Sequence, residues 1–552
     1  MSEIAANALP ARQARGAHNH PLSSRHRIPG GKWVFLAVLL AGLAYLVHGI
    51  HAAIASSGQA PIATSALVLL GIALAIALGF EFVNGFHDTA NAVATVIYTR
   101  SLPPTIAVVW SGLFNFLGVL TSTGAVAYSI VTLLPFDLVL NAGGHGGTAM
   151  IFALLLAAII WNLVTWAFGI PNSSSHALIG SILGVGLANQ LLAPAGVPTA
   201  SVPWDQAKKV IYSLLLSPLI GFVASAVLLL VLRALVKIPS LYAEPHGERP
   251  PPGWIRGLLI ATCTGVSFTH GSNDGQKGMG LIMLILIGAA PTAFALNRAV
   301  PDSAVPAFIA HTEAAEKVLL AHAQGQALPD AARARETIAD ALKTGGEGEA
   351  PRPALDAPQT FAAAAALAHE IEDQVRSYGS IAHLPAETVP NMRNDMYLAS
   401  ETVRKLPGSG AAFTAGELGT LKSFRGGLEN GTRFIPVWVK VAVAIALGLG
   451  TMVGWKRIVQ TVGERIGKKH LTYAQGATAE LVAMGTIGLA DNFGMPVSTT
   501  HVLSSGVAGT MAAAGAGLQG STLRNMALAW VLTLPVAMLL AGGLFTAFRQ
   551  VM

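Results

Sequence analysis

Long apolar runs alternate with short polar segments along most of the chain. Each run approaches or exceeds the roughly 20 residues that an α-helix needs to cross a bilayer. The pattern therefore predicts an all-α polytopic membrane protein. The predicted spans are 34–55, 64–99, 104–131, 147–169, 173–194, 209–237, 254–292, 433–455, 474–493, 497–517 and 525–548.

The composition agrees with a membrane environment. Of the 552 residues, 53% are hydrophobic and 11% are charged, and the mean hydropathy is +0.57. Soluble domains carry about 25% charged residues, so this composition excludes an ordinary soluble enzyme. The net charge of +6 is modest and its basic residues lie in tails and loops, which indicates membrane topology and not a nucleic-acid surface. A single cysteine, Cys263, excludes an intramolecular disulfide framework.

Charge and run length together predict the domain organisation. The basic segment before the first run is expected to stay in the cytoplasm. Counting crossings from it places the mixed-charge stretch 298–432 outside, as a mostly helical domain with helices near 307–323 and 358–377 and a flexible link at 344–360. Ala53-Ile54-Ala55 resembles a signal cleavage site, which leaves cleavage open. The predicted segments are a basic tail (1–32), an extra N-terminal transmembrane helix (33–56), a first membrane repeat (64–237), the first part of a second repeat (254–297), the extramembrane insert (298–432) and the rest of the second repeat (433–549).

Two motifs occur twice in the same order, which predicts an internal duplication. Gly85 and Asp88 recur 186 residues later as Gly271 and Asp274, and both pairs lie in the middle of a long apolar run. Polar backbone at membrane depth is tolerated where it lines a cavity or is buried in protein, so we expect two broken helices. About five crossings per copy, an odd number, make the copies face opposite ways, as in inverted-repeat transporters. The second motif pair is Pro171-Asn172-Ser173-Ser174-Ser175-His176 and Pro496-Val497-Ser498-Thr499-Thr500-His501.

Acidic residues within the apolar runs are the first candidate chemistry. A charged acid at the centre of a membrane helix costs about 2.5–3.5 kcal/mol, so protons, cations or basic partners must neutralise it. The plain alternative is that each acid is protonated or ion-paired and holds helices together. Basic candidates lie close by in the motifs: His87, His270 and Lys277. The acids are Glu81, Asp88, Asp274 and Glu480.

The hydroxyl-rich motifs predict a second chemistry. A proline followed by Ser and Thr residues is typical of a helix start, where free backbone N–H groups and hydroxyls can bind an oxyanion. Ordinary capping of two helices is the alternative. Two copies facing each other favour anion binding, with His176 and His501 interpreted as structural. The hydroxyl candidates are Ser173, Ser174, Ser175, Ser498, Thr499 and Thr500.

With these motifs, the chain resembles the inorganic phosphate transporter (PiT) family over residues 64–297 and 433–549. The resemblance lies in the paired Gly-x-x-Asp and Pro-x-Ser-x-x-His motifs. It implies uptake of inorganic phosphate by cation-coupled symport. It also implies that Asp88 and Asp274 handle the cation, that Asn91, Asn273 and the motif hydroxyls coordinate substrate or ion, and that Glu480 is a family acidic position.

Two departures from the sodium-driven members favour a proton. His87 stands before Asp88, and Lys277 stands where the second motif usually has an amide. We therefore expect proton coupling, with sodium as the alternative, as in the low-affinity bacterial branch. That branch implies an inner-membrane location and neutral metal–phosphate complexes as a possible form of substrate. No resident cofactor or metal is expected; a homo-oligomer is left open, and the expected partners are phosphate and membrane lipids.

Three other functions remain as alternatives at this stage. A sodium-coupled phosphate or sulfate permease would use the same architecture. A channel would differ by lacking uphill flux. An intramembrane hydrolase is disfavoured, since the chain has no nucleophile elbow, His-Glu-x-x-His pair or nucleotide-binding loop.

Overall fold

The computed structural model describes residues 22, 29–58, 61–88, 90–193, 200, 202–245, 249–343 and 353–551. The predicted basic tail lies almost wholly outside the described residues, as does most of the predicted link at 344–360. The described part is built of α-helices. The first half contains α1 (Gly31–Ser56), α2 (Thr64–Asp88), α3 (Ala90–Tyr98), α4 (Pro104–Thr121), α5 (Ala125–Val131), α6 (Phe136–Leu140), α7 (His145–Ala167), α8 (Ser174–Leu191) and α9 (Trp204–Leu235).

The second half repeats this order around a separate group of helices. The helix with the Gly271/Asp274 motif is α10 (Gly253–Ala289), and the short helix α11 (Pro291–Phe294) follows it. Because α2 and α10 carry the paired Gly-x-x-Asp motifs, we call them the signature helices. The insert forms α12 (Val305–His322), α13 (Ala331–Leu342), α14 (Pro358–Tyr378), α15 (Val389–Lys405) and α16 (Ala415–Thr432). The chain then continues with α17 (Val437–Thr451), α18 (Lys456–Gln460), α19 (Tyr473–Asn492), α20 (Thr499–Ala513) and α21 (Gly520–Val551).

The number of strongly apolar helices is lower than the eleven predicted spans. Among the described residues, six helical segments are long and apolar enough to cross a membrane: α1, α2 with α3, α4, α7, α9 and α21. The pair α16–α17, bent by 73°, brings the number to seven. The predicted runs at α8, α10, α19 and α20 do form helices, but these carry the polar motif residues. At 15 residues, α20 is about 22 Å long, which is less than the roughly 30 Å of a bilayer core.

The predicted break in the second signature segment is wrong. Helix α10 runs unbroken through His270 and Asp274. In the first segment α2 continues to Asp88 and α3 begins at Ala90, and the residue between them lies outside the described residues. The glycines of α10 serve close packing instead. A Cβ at Gly271 would lie 2.2 Å from the Asn115 carbonyl oxygen of α4.

Close glycine contacts also show that the two halves interlock. Gly85 of α2 lies against α17, where an added Cβ would be 2.2 Å from the Leu447 carbonyl oxygen. In the same way, Gly271 of α10 lies against α4 of the first half. Helices α8 and α21 pack together, as do α20 and α9. Each half thus packs equivalent helices against the other, as expected for a duplication.

The two long final helices support the same relation. Both α9 and α21 have 32 residues and carry a proline near their middle, Pro218 and Pro535. These two prolines form a third equivalent pair, in addition to the two pairs of motifs. The number of crossings per copy stays a prediction.

The insert has its own hydrophobic core, as its helical pattern indicates. The predicted helices near 307–323 and 358–377 correspond to α12 and α14. Its core also receives Phe136 and Leu140 of α6, from the first membrane copy. Arg393, which is buried, donates hydrogen bonds to the Val139 carbonyl oxygen at 3.4–3.5 Å. The insert therefore sits directly on the first copy; the side of the membrane it faces stays a prediction.

Candidate functional site

The two signature helices cross at the centre of the bundle and run in opposite directions. Glu81 of α2 lies next to Gly278 of α10, where an added Cβ would clash with its carboxylate. Asp88 follows Glu81 by seven residues, about two turns of α2. Its carboxylate is within 4.8 Å of ligand atoms of His270 and Asp274. Residue numbers therefore rise along α2 as they fall along α10. This antiparallel crossing is the arrangement expected of two copies of opposite orientation.

Asp88 is held by side chains from three helices. Its Oδ1 atom lies 3.0 Å from His87 Nδ1 and accepts a 2.9 Å hydrogen bond from the Thr500 hydroxyl of α20. Its Oδ2 atom contacts the hydroxyl of Ser174, at the start of α8. The Ser174 hydroxyl lies 2.7 Å from Asn84 Oδ1 as well. Asp88 thus joins the signature helix of the first copy to the hydroxyl motifs of both copies.

Asp274 is surrounded by basic side chains of its own helix. Lys277 Nζ lies 2.7 Å from Asp274 Oδ1, and His270 Nε2 lies 3.6 Å from Asp274 Oδ2. Lys277 also donates to the hydroxyl of Ser175 on α8. His270 Nδ1 is 2.8 Å from Asn115 Oδ1 of α4. A fixed ammonium therefore lies between the acid of the second copy and the hydroxyl motif of the first.

The starts of α8 and α20 meet at this place. The rings of His176 and His501 contact each other, with centroids 4.5 Å apart and planes inclined by 44°. Ser175 of α8 donates a 2.9 Å hydrogen bond to the carbonyl oxygen of Val497, just before α20. Helix N-termini carry partial positive charge and free N–H groups, so two of them facing one point favour an anion.

The cluster is closed to solvent. His87, Asp274 and Lys277 have no exposed surface and Asp88 has 3%. Glu81 is also fully buried. Three carboxyl groups thus share a dry space with one ammonium and two imidazoles. Because unpaired buried charges are unfavourable, the carboxyl groups must be neutralised by the neighbouring basic groups, by protons or by bound cations.

The sequence matches known transporters along most of its length. The sequence model of the protein family described as "Phosphate transporter family" matches residues 84–541. The chain belongs to the phosphate transporter family. The low-affinity inorganic phosphate transporter PitA of Escherichia coli (strain K12) is 45% identical over 496 residues, covering 87% of this chain and 96% of the relative. PitB of the same strain is 43% identical over 491 residues, with the same coverage.

The family fixes the general class of this protein. As a member of the phosphate transporter family with several helices able to cross a membrane, the chain is a multi-pass transporter of the bacterial inner membrane and not an enzyme. A solved structure of the sodium-dependent phosphate transporter covers 88% of this chain and 100% of its own, with 19% identity and a TM-score of 0.47.

Some predicted site residues of this phosphate transporter family member lie elsewhere. Glu480 of α19 is buried with Thr95 and Thr262, which both donate to its carboxylate. Thr95 follows Asp88 by seven residues, about 10 Å of helix, so Glu480 forms a separate polar site. Asn273 donates to the Met495 carbonyl oxygen at 3.2 Å, in the segment that precedes α20.

The remaining hydroxyls of the motifs have structural roles or make no described contact. Ser173 and Ser498 are N-caps, whose hydroxyls accept from the backbone N–H of His176 and His501. The buried Thr499 hydroxyl has no hydrogen-bond partner among the described residues. The side chain of Asn91 lies outside the described residues.

Three polar residues at the site were missed by sequence analysis. Asn84 contacts Ser174, Asn115 contacts His270, and Thr165 lies 3.2 Å from His87 Nε2. Each is a lone polar residue in an apolar span, which is the signal that could have identified it.

Proposed function

We propose that this protein takes up inorganic phosphate by proton symport through alternating access. The observation that carries the proposal is a buried cluster: Asp88 contacts the hydroxyl-bearing helix starts of both copies, and Lys277 links Asp274 to that of the first copy. Its relatives are named low-affinity inorganic phosphate transporters, which supports phosphate as the substrate.

Phosphate and Asp88 compete for the same hydroxyls. Ser174 and Thr500 stand at the positive ends of α8 and α20, where an oxyanion would bind, and both contact the Asp88 carboxylate. A proton on Asp88 weakens its hold on these donors and removes a charge that repels phosphate. Proton and phosphate then each favour the binding of the other, which is the thermodynamic requirement for symport.

The hydrogen bonds around Ser174 are suited to that proton. Its hydroxyl lies between two acceptors, Asn84 Oδ1 and Asp88 Oδ2, but has a single proton to donate. A proton on Asp88 completes the chain, because Asp88 then donates to Ser174 and Ser174 to Asn84. Turning the Asn84 amide is the alternative way to satisfy it.

Lys277 takes the place of a transported cation beside Asp274. Its ammonium is buried, 2.7 Å from the carboxylate, and reaches across to Ser175. A tethered cation neutralises Asp274 permanently, so that copy needs no sodium ion. The first copy has no such lysine, and the proton of the symport belongs at Asp88 and His87.

The antiparallel crossing of the two signature helices supports alternating access. A site built from both copies at their meeting point can open to either face if one copy rocks against the other. Proton release to the cytoplasm would restore the Asp88 contacts with Ser174 and Thr500 and expel phosphate.

The proposal is tested with purified protein in proteoliposomes free of sodium and with an imposed pH gradient. We expect uphill phosphate uptake that a protonophore abolishes. Asp88→Asn and Asp274→Asn should insert normally but lose accumulation. A strict sodium requirement would refute proton drive, normal accumulation by both variants would remove the aspartates from the mechanism, and preferential competition by sulfate would refute phosphate as the substrate.

One cluster also supports a neutral metal–phosphate complex as cargo. Ligand atoms of Asp88, His270 and Asp274 lie within 4.8 Å of one another, a spacing suited to one divalent cation. The metal would arrive with phosphate as substrate. Under this proposal, chelation of Mg²⁺ reduces phosphate uptake, and radioactive Co²⁺ enters in a phosphate-dependent manner; uptake unchanged by chelation would contradict it.

A further inference from the structure

A basic cavity lies between the insert and the membrane helices, outside the central cluster. It has a volume of about 1240 Å³ and is bounded by α5, α9, the end of α19 and the insert. Its charged rim consists of four cations, Lys209, Arg404, Arg425 and Arg433, and one acid, Glu429. The cavity is called the vestibule below.

The rim keeps an excess of positive charge after its ion pairs are counted. Arg425 and Arg433 share one carboxylate oxygen of Glu429, at 3.4 and 3.0 Å. Arg404 is paired with Glu401, and Lys209 is exposed. Two acids therefore balance four cations. Arg425 and Arg433 keep 33% and 27% of their side-chain surface exposed and both line the cavity, although the Nε atom of Arg425 is buried.

Polar side chains contribute to the lining of the cavity beside its charged residues. The hydroxyl and amide residues among them are Thr123, Tyr128, Ser129, Thr132, Gln206, Ser213, Ser217, Thr486 and Asn492. A lining with such polar side chains suits a hydrated anion better than a purely apolar lining would.

The floor of the vestibule is one backbone segment, residues 494–497. The other side of this segment belongs to the central cluster. Its carbonyl oxygens at Met495 and Val497 accept hydrogen bonds from Asn273 and Ser175, and Ser213 donates to that of Pro496. A single layer of chain thus separates the vestibule from the start of α20. Asp491, beside it, is held by Ser272 and Gln276 at 2.6 Å.

We propose that Arg425 and Arg433 form a peripheral phosphate-binding subsite, which collects the anion in the vestibule before it passes the 494–497 segment to the central cluster. This proposal rests on the proposed function and on the outward placement of the insert. Cationic clefts raise the local concentration of anions and their association rate, and the effect falls with ionic strength. The headgroup phosphate of an anionic lipid has the same chemistry, and the experiment separates the two sources.

The test is phosphate uptake by right-side-out proteoliposomes made from phosphatidylcholine alone, at low and high ionic strength. For the double variant Arg425→Gln/Arg433→Gln we expect a rise in the KM for phosphate of about 3- to 10-fold at low salt, a weaker dependence on salt and an unchanged maximal rate. Glu429→Gln should shift KM in the opposite direction. Arg333→Gln, which removes a charge from an exposed position on α13, is the matched control and should leave KM unchanged.

The outcomes separate this proposal from the function itself. If the wild-type protein transports no phosphate, the proposed function fails. If the wild type transports but the arginine and Glu429 variants keep its KM at all salt concentrations, only the vestibule subsite is refuted. An effect that appears only with phosphatidylglycerol present assigns the subsite to a lipid headgroup. An effect seen only in inside-out vesicles overturns the capture role from outside.

Discussion

Removing the ammonium of Lys277 should destabilise the protein because it leaves Asp274 without its fixed partner. In Lys277→Met, a fully buried carboxylate loses a cation at 2.7 Å. Breaking a buried pair by removing one member costs about 3–5 kcal/mol. His270, 3.6 Å from Asp274, can offset part of this loss by taking a proton. The destabilisation should therefore be largest at alkaline pH and smaller in acid.

A double-mutant cycle isolates this electrostatic term. Lys277→Met, Asp274→Asn and the double variant are compared by unfolding of the detergent-solubilised protein in SDS. Since the double variant leaves no uncompensated charge, it should be more stable than Lys277→Met, with a coupling energy of about 3 kcal/mol. Lys440→Met is the matched control, because Lys440 donates to the Ser122 carbonyl oxygen at 2.7 Å and should cost far less.

Two results would refute the reasoning. If Lys277→Met is as stable as the wild type at all pH values, the ammonium does not neutralise Asp274. If the two single effects add in the double variant, the residues contribute independently and no fixed ion pair exists. The SDS assay requires no transport, so either result stands whatever the substrate is.

Other expectations follow from the same contacts. Ser174→Ala should weaken phosphate accumulation by roughly 10-fold through loss of one or two hydrogen bonds, whereas Ser181→Ala, on the same helix and bonded to the Ala177 carbonyl oxygen, should not; uptake assays compare them. Gly85→Ala should abolish folded expression because its Cβ would lie 2.2 Å from a carbonyl oxygen, while Gly79→Ala, with open space, should be tolerated in a fluorescence size-exclusion assay. In the insert, hydrogen bonds from Thr414 lower the pKa of Glu417. The start of α16 therefore gains stability above the ordinary Glu pKa of about 4.3 and loses it as pH falls through the lowered pKa. Hydrogen exchange should show this loss of stability in acid, and Glu417→Gln should make the loss smaller.

Sequence periodicity and duplication were sufficient to predict the helical fold and the meeting of the motifs. Asp88, Ser174 and Thr500 come from distant parts of the chain, yet their paired motifs predicted a shared site. The unbroken course of α10 was not predictable in this way. Glycine at 271 suggests a break when read alone, and only the packed neighbour α4 shows that it permits a close helix contact.

The location of Glu480 shows a second limit of sequence patterns. An acid in an apolar span signals a buried polar site, but it does not say which one. Thr95 lies about two turns from Asp88, and Thr262 lies more than three turns from Asp274 on the other signature segment; both donate to Glu480 there. Distance along a helix therefore separates two sites that composition alone would merge.

Under the proposed mechanism, a difference between the two copies explains why a duplicated site needs only one proton from solution. Equivalent aspartates on antiparallel helices bring two negative charges together, and identical copies would need two identical cations. Lys277 neutralises Asp274 from within the chain, but its counterpart in the first copy is Asn91, which carries no charge. Only Asp88 then remains to be neutralised from solution. The variant Lys277→Asn restores the equivalence, and we expect uptake by it to require a second cation, either a proton or a sodium ion; an unchanged number of cations carried per phosphate would contradict the role of Lys277 as a built-in cation.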